Sequence, residues 1–273
     1  MPKQPFLFSL DTQNNGIPRR YLPPHALLRP YISHYTIMLP YYTSAPSPLT
    51  LIPDVSGCIV CRIEEHGLVT SLWGPTTKTT VVGTQEYASP CHLFVEFLPG
   101  GAHRLTGYPQ QDFVDCIIPL HDCLPSLDVA LREVVSRARD EDELTRLLDA
   151  LFLSILYQTA SASPSAVIAL IKNTVPSATV KQLADAMCYS ERHLNRLFYS
   201  EIGISAKNCL QLFRVNKALL LMQRHDLTLT ECAQHAGYYD QSHFNREFRE
   251  VCGIAPGAFI KSMSDFYNEK NKF

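Results

Sequence analysis

Two six-residue stretches, HLNRLF (193–198) and HFNREF (243–248), repeat His, Asn, Arg and Phe in register at an offset of 50. On a helix, Arg192, Asn195, Arg196 and Tyr199 share one face at i, i+3, i+4 and i+7, and so do Ser242, Asn245, Arg246 and Arg249. These residue types suit the edges of nucleic acid: Arg pairs twice with guanine, Asn with adenine, and Ser with a base edge or the backbone. Leu194, Leu197 and Phe198 in the first copy, and Phe244 and Phe248 in the second, lie on the opposite side and are expected to pack inward. For one copy, a solvated polar face on a bundle helix is an equal alternative. Two copies in register favour a pair of readers.

The other reactive residues are sparse. His92 and Glu96 share a strand face at period two, and His103 follows a PGG turn. With Trp73 and Phe94 they are the candidate lining of an effector cavity, although aromatic residues in strands are more often core. No His-x-His pair accompanies them, so no metal site is expected. Cys58 and Cys61 form a lone CxxC, three apart on a strand and therefore pointing to opposite faces, and no second CxxC completes a zinc set. With Cys91 and Cys116 they leave open a redox sensor, against a default of buried, inert thiols. There is no GxSxG and no glycine loop that would cradle phosphate. No catalytic residue and no cofactor are expected, and the chain does not read as an enzyme. The alternative from another class is a metal- or thiol-dependent enzyme or redox sensor fused to a DNA-binding domain.

Each repeated stretch needs an element to aim it. VKQLADAM (180–187) and LTECAQHA (229–236) precede the two copies, each followed by a tight turn, with Ser190 or Asp240 placed to cap the next helix. Each unit therefore predicts helix, turn, helix. Between them, LQLFRVNKALLLM (210–222) predicts a connecting helix buried through Leu210, Phe213, Leu219 and Leu220. The first half reads differently. Segments 31–39, 49–53, 57–65, 68–73, 79–85 and 91–98 are rich in β-branched and aromatic residues and are punctuated by Pro, Gly, Ser or Asp, predicting short strands in a sandwich or barrel. Two amphipathic helices follow at about 127–138 and 141–158, and SASPS (161–165) reads as a linker.

LADAMCYSERHLNRLF…GIS (183–205), the connecting helix, and LTLTECAQHAGYYDQSHFNREFREVCGIAPGAF (227–259) resemble the DNA-binding domain of AraC/XylS-type transcription regulators. Cys188 and Cys209 depart from that pattern, standing where the family often has Gly and an aromatic residue. The resemblance implies seven helices in which two helix-turn-helix units are joined by one long helix, each unit entering a major-groove segment. Its base-contacting slots fall on Arg192, Asn195 and Arg196, then on Gln241, Ser242, His243 and Arg246. LIPDVSGCIVCRI (51–63), WGP (73–75) and FLPGGAHRLTGYPQQDFVDCIIPLHD (97–122) are similar to the sensor-like, cupin-like N-terminal domain of one branch of these regulators. That similarity implies an effector or dimer module and names no ligand.

The expected fold is thus α+β: a β-barrel-like (cupin-like) sensor or dimerisation domain over 1–125, a helical dimer or linker segment over 126–160, and an all-α seven-helix bipartite helix-turn-helix domain over 164–263. Its units lie near 180–199 and 229–249. Composition agrees with this division. The 273 residues carry a net charge of −2, but residues 1–163 hold 11 basic against 16 acidic residues while 164–273 hold 13 against 10, so only the C-terminal part is drawn to a polyanion. Nine scattered cysteines and the absence of a leader or membrane-spanning pattern predict a reduced, cytoplasmic protein of bacterial type that meets no membrane. The expected partners are double-stranded DNA, RNA polymerase if the protein activates as the family favours, a second copy of the chain, and a small effector.

Overall fold

The computed structural model describes residues 19–38, 49–64, 67–82, 91–158, 167, 170, 178–223 and 226–262. The strands are β1 (Arg19–Leu22), β2 (Ile32–Met38), β3 (Leu49–Leu51), β4 (Cys58–Glu64), β5 (Gly67–Trp73), β6 (Thr80–Val82), β7 (Cys91–Phe97) and β8 (Ile117–Pro119). Six of them form one antiparallel sheet in the order β1-β2-β7-β4-β5-β8, and β3 pairs with β6 separately. Each predicted strand segment coincides with one of these, though residues 39, 65 and 83–85 lie outside the described residues. The barrel expectation changes here: β1 and β8 are edges that do not pair with each other among the described strands, so the large sheet is open.

Alternation sorts the sheet's two faces. Tyr35, Ile37, Leu93, Val95, Ile59, Cys61, Ile63 and Leu72 are buried on one side with residues of the helices that follow. Those helices are α1 (Gly101–Thr106), α2 (Leu120–Cys123), α3 (Pro125–Arg137) and α4 (Glu141–Gln158), with a 3-10 turn at Gln110–Phe113. Phe152 of α4 stacks on Tyr35, and the Tyr35 hydroxyl donates to Asp149 Oδ1 at 3.0 Å. Burial, with Asp149 beside it, pushes that phenol well above its ordinary range. Asp128 of α3 accepts from Arg132 Nε at 2.9 Å and from the Thr70 hydroxyl of β5, riveting helix to sheet.

Close backbone approach explains the glycines of the PGG and WGP stretches. A side chain at Gly101 would meet the Tyr31 carbonyl at 2.0 Å, and one at Gly74 the Phe113 carbonyl at 1.9 Å. These two positions are dictated by packing.

The C-terminal helices are α5 (Val180–Ala186), α6 (Glu191–Glu201), α7 (Ala206–Met222), α8 (Leu229–His235), α9 (Gln241–Cys252) and α10 (Pro256–Ser262). That is six of the seven expected, among the described residues. A seventh would fall on 164–177, of which Val167 and Leu170 are described as helical and buried, while the linker at 161–165 lies outside the described residues. Along α7 the buried stripe runs through Cys209, Leu210, Leu212, Val215, Ala218, Leu219 and Met222; Phe213 packs partly buried beside it, and Leu220 is only half-buried. No helix of the described residues is long and apolar enough to cross a membrane.

The two halves share a core. Ile52 and Val55 from the segment before β4 are buried in the C-terminal cluster, and Val114 packs against it. Asn216 of α7 donates from Nδ2 to the Pro53 carbonyl at 3.4 Å. Gly203, in the turn after α6, approaches Gln110 and Val114 so closely that an added Cβ would lie 2.9 Å from the Gln110 carbonyl.

Candidate nucleic-acid interface

The two units are built alike because their caps are alike. Thr179 and Gln182 form a capping box on α5, and Thr228 and Glu231 form one on α8. On the exposed Glu231, the hydrogen bonds from Thr228 hold the carboxyl below its ordinary range. The second helix of each unit starts as expected: Ser190 accepts from the His193 N–H at 3.2 Å, and Asp240 from the His243 N–H at 2.7 Å. Leu194 and Phe198 are fully buried on the inner face of α6, with Leu197 packed beside them; Phe244 and Phe248 are fully buried in α9. Each such side chain contributes about 1.5–3 kcal/mol by leaving water, which fixes the rotation of both helices and hence which residues face out.

The outward row of α6 contains Arg192, Arg196 and Tyr199, all exposed. They border an open concavity of about 900 Å3 shared with Lys207 of α7 and with Gln111 of the N-terminal half. The outward row of α9 contains Gln241, Ser242, Arg246 and Arg249, also exposed, with Asn245 half-buried among them. Gln241 accepts from the Thr230 hydroxyl at 3.1 Å, which ties the start of α9 to α8.

Two residues on the predicted surface are occupied elsewhere. Asn195 donates to the Glu191 carbonyl at 3.0 Å and accepts the Ala206 N–H at 3.1 Å, so both ends of its amide hold backbone. His243 turns inward: its ring meets Tyr238 edge-on, and Nε2 lies 3.2 Å from Glu247. Glu247 in turn accepts a forked pair of hydrogen bonds from Arg214 of α7 at 3.0 and 3.2 Å, and Arg214 lies over the Tyr238 ring. Burial, with Glu247 nearby, raises the Tyr238 phenol above its ordinary range. His193, the counterpart of His243 in the first unit, has Nδ1 3.1 Å from Arg196 and its ring edge-on to Tyr189. Sequence reasoning passed over Lys207, whose signal was a basic residue in the first turn of α7, beside α6.

The turns differ in the residue that takes the left-handed position. Gly237 adopts φ 92, and Cys188 takes the same left-handed conformation at φ 54 without glycine's freedom.

The N-terminal candidates separate. His92, Phe94 and Glu96 line one face of β7, where the His92 and Phe94 rings stack at 5.8 Å. Trp73 joins them across Cys58, which pairs with both Trp73 and Glu96. Register adds His34 and Thr36 of β2 to that face. His103 is not there: it sits on α1 with Nδ1 2.8 Å from the Tyr108 carbonyl. Cys58 and Cys61 do point to opposite faces, with Cys61 buried in the core. Burial pushes the thiols of Cys61, Cys91 and Cys252 up to about 12, which works against the thiolate that redox chemistry needs, while Cys58 and Cys116 are only half-buried. Among the described residues, no three His, Cys, Asp or Glu side chains group as metal ligands.

Residues 183–262 match the protein family described as a helix-turn-helix domain. They form a helix-turn-helix domain of the AraC/XylS type. This domain is 26% identical over 90 residues to the arabinose operon regulatory protein of Escherichia coli, covering 33% of this chain and 31% of that one. It is 36% identical over 76 residues to an uncharacterized HTH-type transcriptional regulator, YfiF, of Bacillus subtilis, covering 28% and 24%. The transcriptional activator NphR of Rhodococcus is 32% identical over 83 residues, covering 30% and 24%. The chain thus spans about a quarter to a third of the length of these three relatives. Among solved structures, ToxT of Vibrio cholerae aligns over 84% of this chain and 98% of its own at 12% identity, with a TM-score of 0.44.

Proposed function

We propose that the protein is a sequence-specific DNA-binding transcription regulator whose α6 and α9 each enter a major-groove segment. The observation that carries this is the pair of outward rows: Arg192, Arg196 and Tyr199 on one capped helix, and Gln241, Ser242, Asn245, Arg246 and Arg249 on the other. Successive major-groove faces recur about 34–36 Å apart along the duplex. Two readers braced on one buried helix, α7, let a single chain read what a symmetric dimer otherwise would. Arg196 and Arg246, exposed and central in their rows, are assigned to base edges, and the flanking cations to phosphates.

The same reading takes the region 164–177 as the seventh helix and the N-terminal unit as a cupin-like sensor. An effector would lie on the sheet face bearing Trp73, His92, Phe94 and Glu96. Activation through RNA polymerase and pairing with a second copy through α3 and α4 belong to it as well, as does action in the cytoplasm. The contact of Gln110, Gln111 and Val114 with the first unit supports a route by which the N-terminal half biases α6. Burial of Cys61 and Cys91, which pushes both thiols up to about 12, weighs against a thiol enzyme.

Selection of genomic fragments by the full-length protein, followed by footprinting, tests this. The expected footprint has two protected major-groove segments about one helical turn apart per chain. Arg196→Ala and Arg246→Ala should each remove one segment. Sequence-blind binding with equal loss on all DNA would make both residues phosphate contacts, and no binding at all would defeat the reading.

A further inference from the structure

The two helix-turn-helix units are not equal in length. Up to the turn, their matching hydrogen bonds lie 49 residues apart: the Tyr189 N–H donates to the Ala184 carbonyl at 2.9 Å and the Tyr238 N–H to Ala233 at 3.0 Å, while Cys188 donates to Asp185 and Gly237 to Gln234. From the helix caps onward the offset is 50, with Ser190 answered by Asp240. One residue has therefore been inserted between Tyr238 and the cap, and it is Tyr239.

The insertion redirects a side chain. A residue just before the cap commonly packs onto the fourth residue of the helix, pinning the entry of the chain. In the first unit Tyr189 holds that place and packs against the core beside His193. In the second unit Tyr238, one residue further back, has taken the packing role: it is buried, with its ring 5.1 Å from Phe244. Tyr239 is left outside with 92% of its surface exposed, and it makes no hydrogen bond or ring contact among the described residues. A tyrosine so placed adds little buried area to the fold, in a turn position usually filled by Gly, Asn, Asp or Ser. Its neighbours on α9 are Gln241 and Ser242, the first outward residues of the reading helix.

We propose that Tyr239 is a DNA contact: its hydroxyl donates to a phosphate oxygen at the edge of the groove that α9 enters, with the ring laid against the adjoining deoxyribose. This rests on the DNA-reading function proposed above. A residue immediately before the helix lies where the chain leaves the groove and crosses the sugar-phosphate wall. A neutral donor there positions α9 without adding base preference. The first unit has no counterpart, so the contact gives the second unit a hold on the duplex that the first lacks.

The test uses the full-length protein on a site obtained by genomic selection and on a shuffled duplex of equal length. Tyr239→Phe should weaken binding about tenfold to hundredfold on both duplexes, the loss of one hydrogen bond to a charged oxygen. The slope of affinity against salt should not change, because no cation has been removed. Tyr239→Ala should lose more, with helical content and melting temperature held. Three outcomes overturn the proposal. Wild-type affinity in both variants, while Arg246→Ala fails on the selected site, removes Tyr239 from the interface and leaves the DNA reading standing. Weakening of Tyr239→Ala alone, confined to the selected site, makes the ring a base reader instead. A wild-type protein that selects no DNA defeats the underlying function as well.

Discussion

The Asn195 amide bridges two helices: it donates to Glu191 within α6 and accepts the N–H of Ala206, the first residue of α7, at 3.1 Å. The matching position in the second unit, 50 residues on, is Pro256, which has no N–H to give. The repeated asparagines therefore do different work. Asn195→Ala should cost about 1–2 kcal/mol of stability and leave base preference intact. Asn245→Ala should leave stability within about 0.5 kcal/mol and change preference at one base position. Urea unfolding and binding to a panel of single-base variants separate the two; an Asn195→Ala variant as stable as wild type would refute the bridge.

The left-handed Cys188 makes a second prediction. A residue with a Cβ pays roughly 1–2 kcal/mol there, while glycine brings back part of that as extra freedom in the unfolded chain. Cys188→Gly should stabilise the first unit by about 1 kcal/mol, and Gly237→Ala should destabilise the second by a similar amount. Thermal melts of the two variants beside wild type check both signs. Since Cys188 is exposed, lost side-chain packing will not mask the gain.

Much of this was legible before any coordinates, and the exceptions have physical causes. The strands β2, β4, β5 and β7 and the helices α3 and α4 announced themselves through period and punctuation. β1 (RRYL) and β8 (IIP) did not, because RRYL carries one aliphatic residue beside two charged ones and IIP ends in Pro, so both owe their extension to the neighbours that pair with them. The inner and outer faces of α6 and α9 followed from 3.6-residue spacing. What Asn195 and His243 do did not follow, because an amide or an imidazole suits a base edge and an intramolecular partner equally well. Tertiary neighbours decide: the Ala206 N–H for one, Glu247 for the other. The inserted Tyr239 was present in the change of offset from 49 to 50.

The seam between the halves gives a third prediction. Gly203 sits at φ 96, with the Val114 side chain 2.8 Å and the Gln110 carbonyl 2.9 Å from where a Cβ would stand. Gly203→Ala meets strain and a fixed backbone atom together, and should cost about 2–3 kcal/mol. The loss should show as easier protease cleavage between the halves and as separation of one melting transition into two. Unchanged melting and protection would mean that this seam is not closed in solution.

The Asp128 rivet makes the last prediction, in pH. Burial pushes its carboxyl up, but hydrogen bonds from Arg132 and Thr70 and the Arg132 charge outweigh that and hold it below the ordinary carboxylate range. A carboxyl whose folded pKa is depressed adds stability that is fully present above its unfolded value of about 3.9 and is lost as pH falls through the lower folded value. Asp128→Asn keeps the shape and removes the titration. Wild type should therefore exceed the variant in stability near neutrality, by about 1–3 kcal/mol for charge-assisted bonds. The gap should hold from about pH 6 to about pH 5 and then narrow as urea melts are repeated down to about pH 3. A gap that stays constant over that range would mean that the ionised carboxylate is not what joins α3 to β5. A gap that widens toward acid would reverse the sign of the shift.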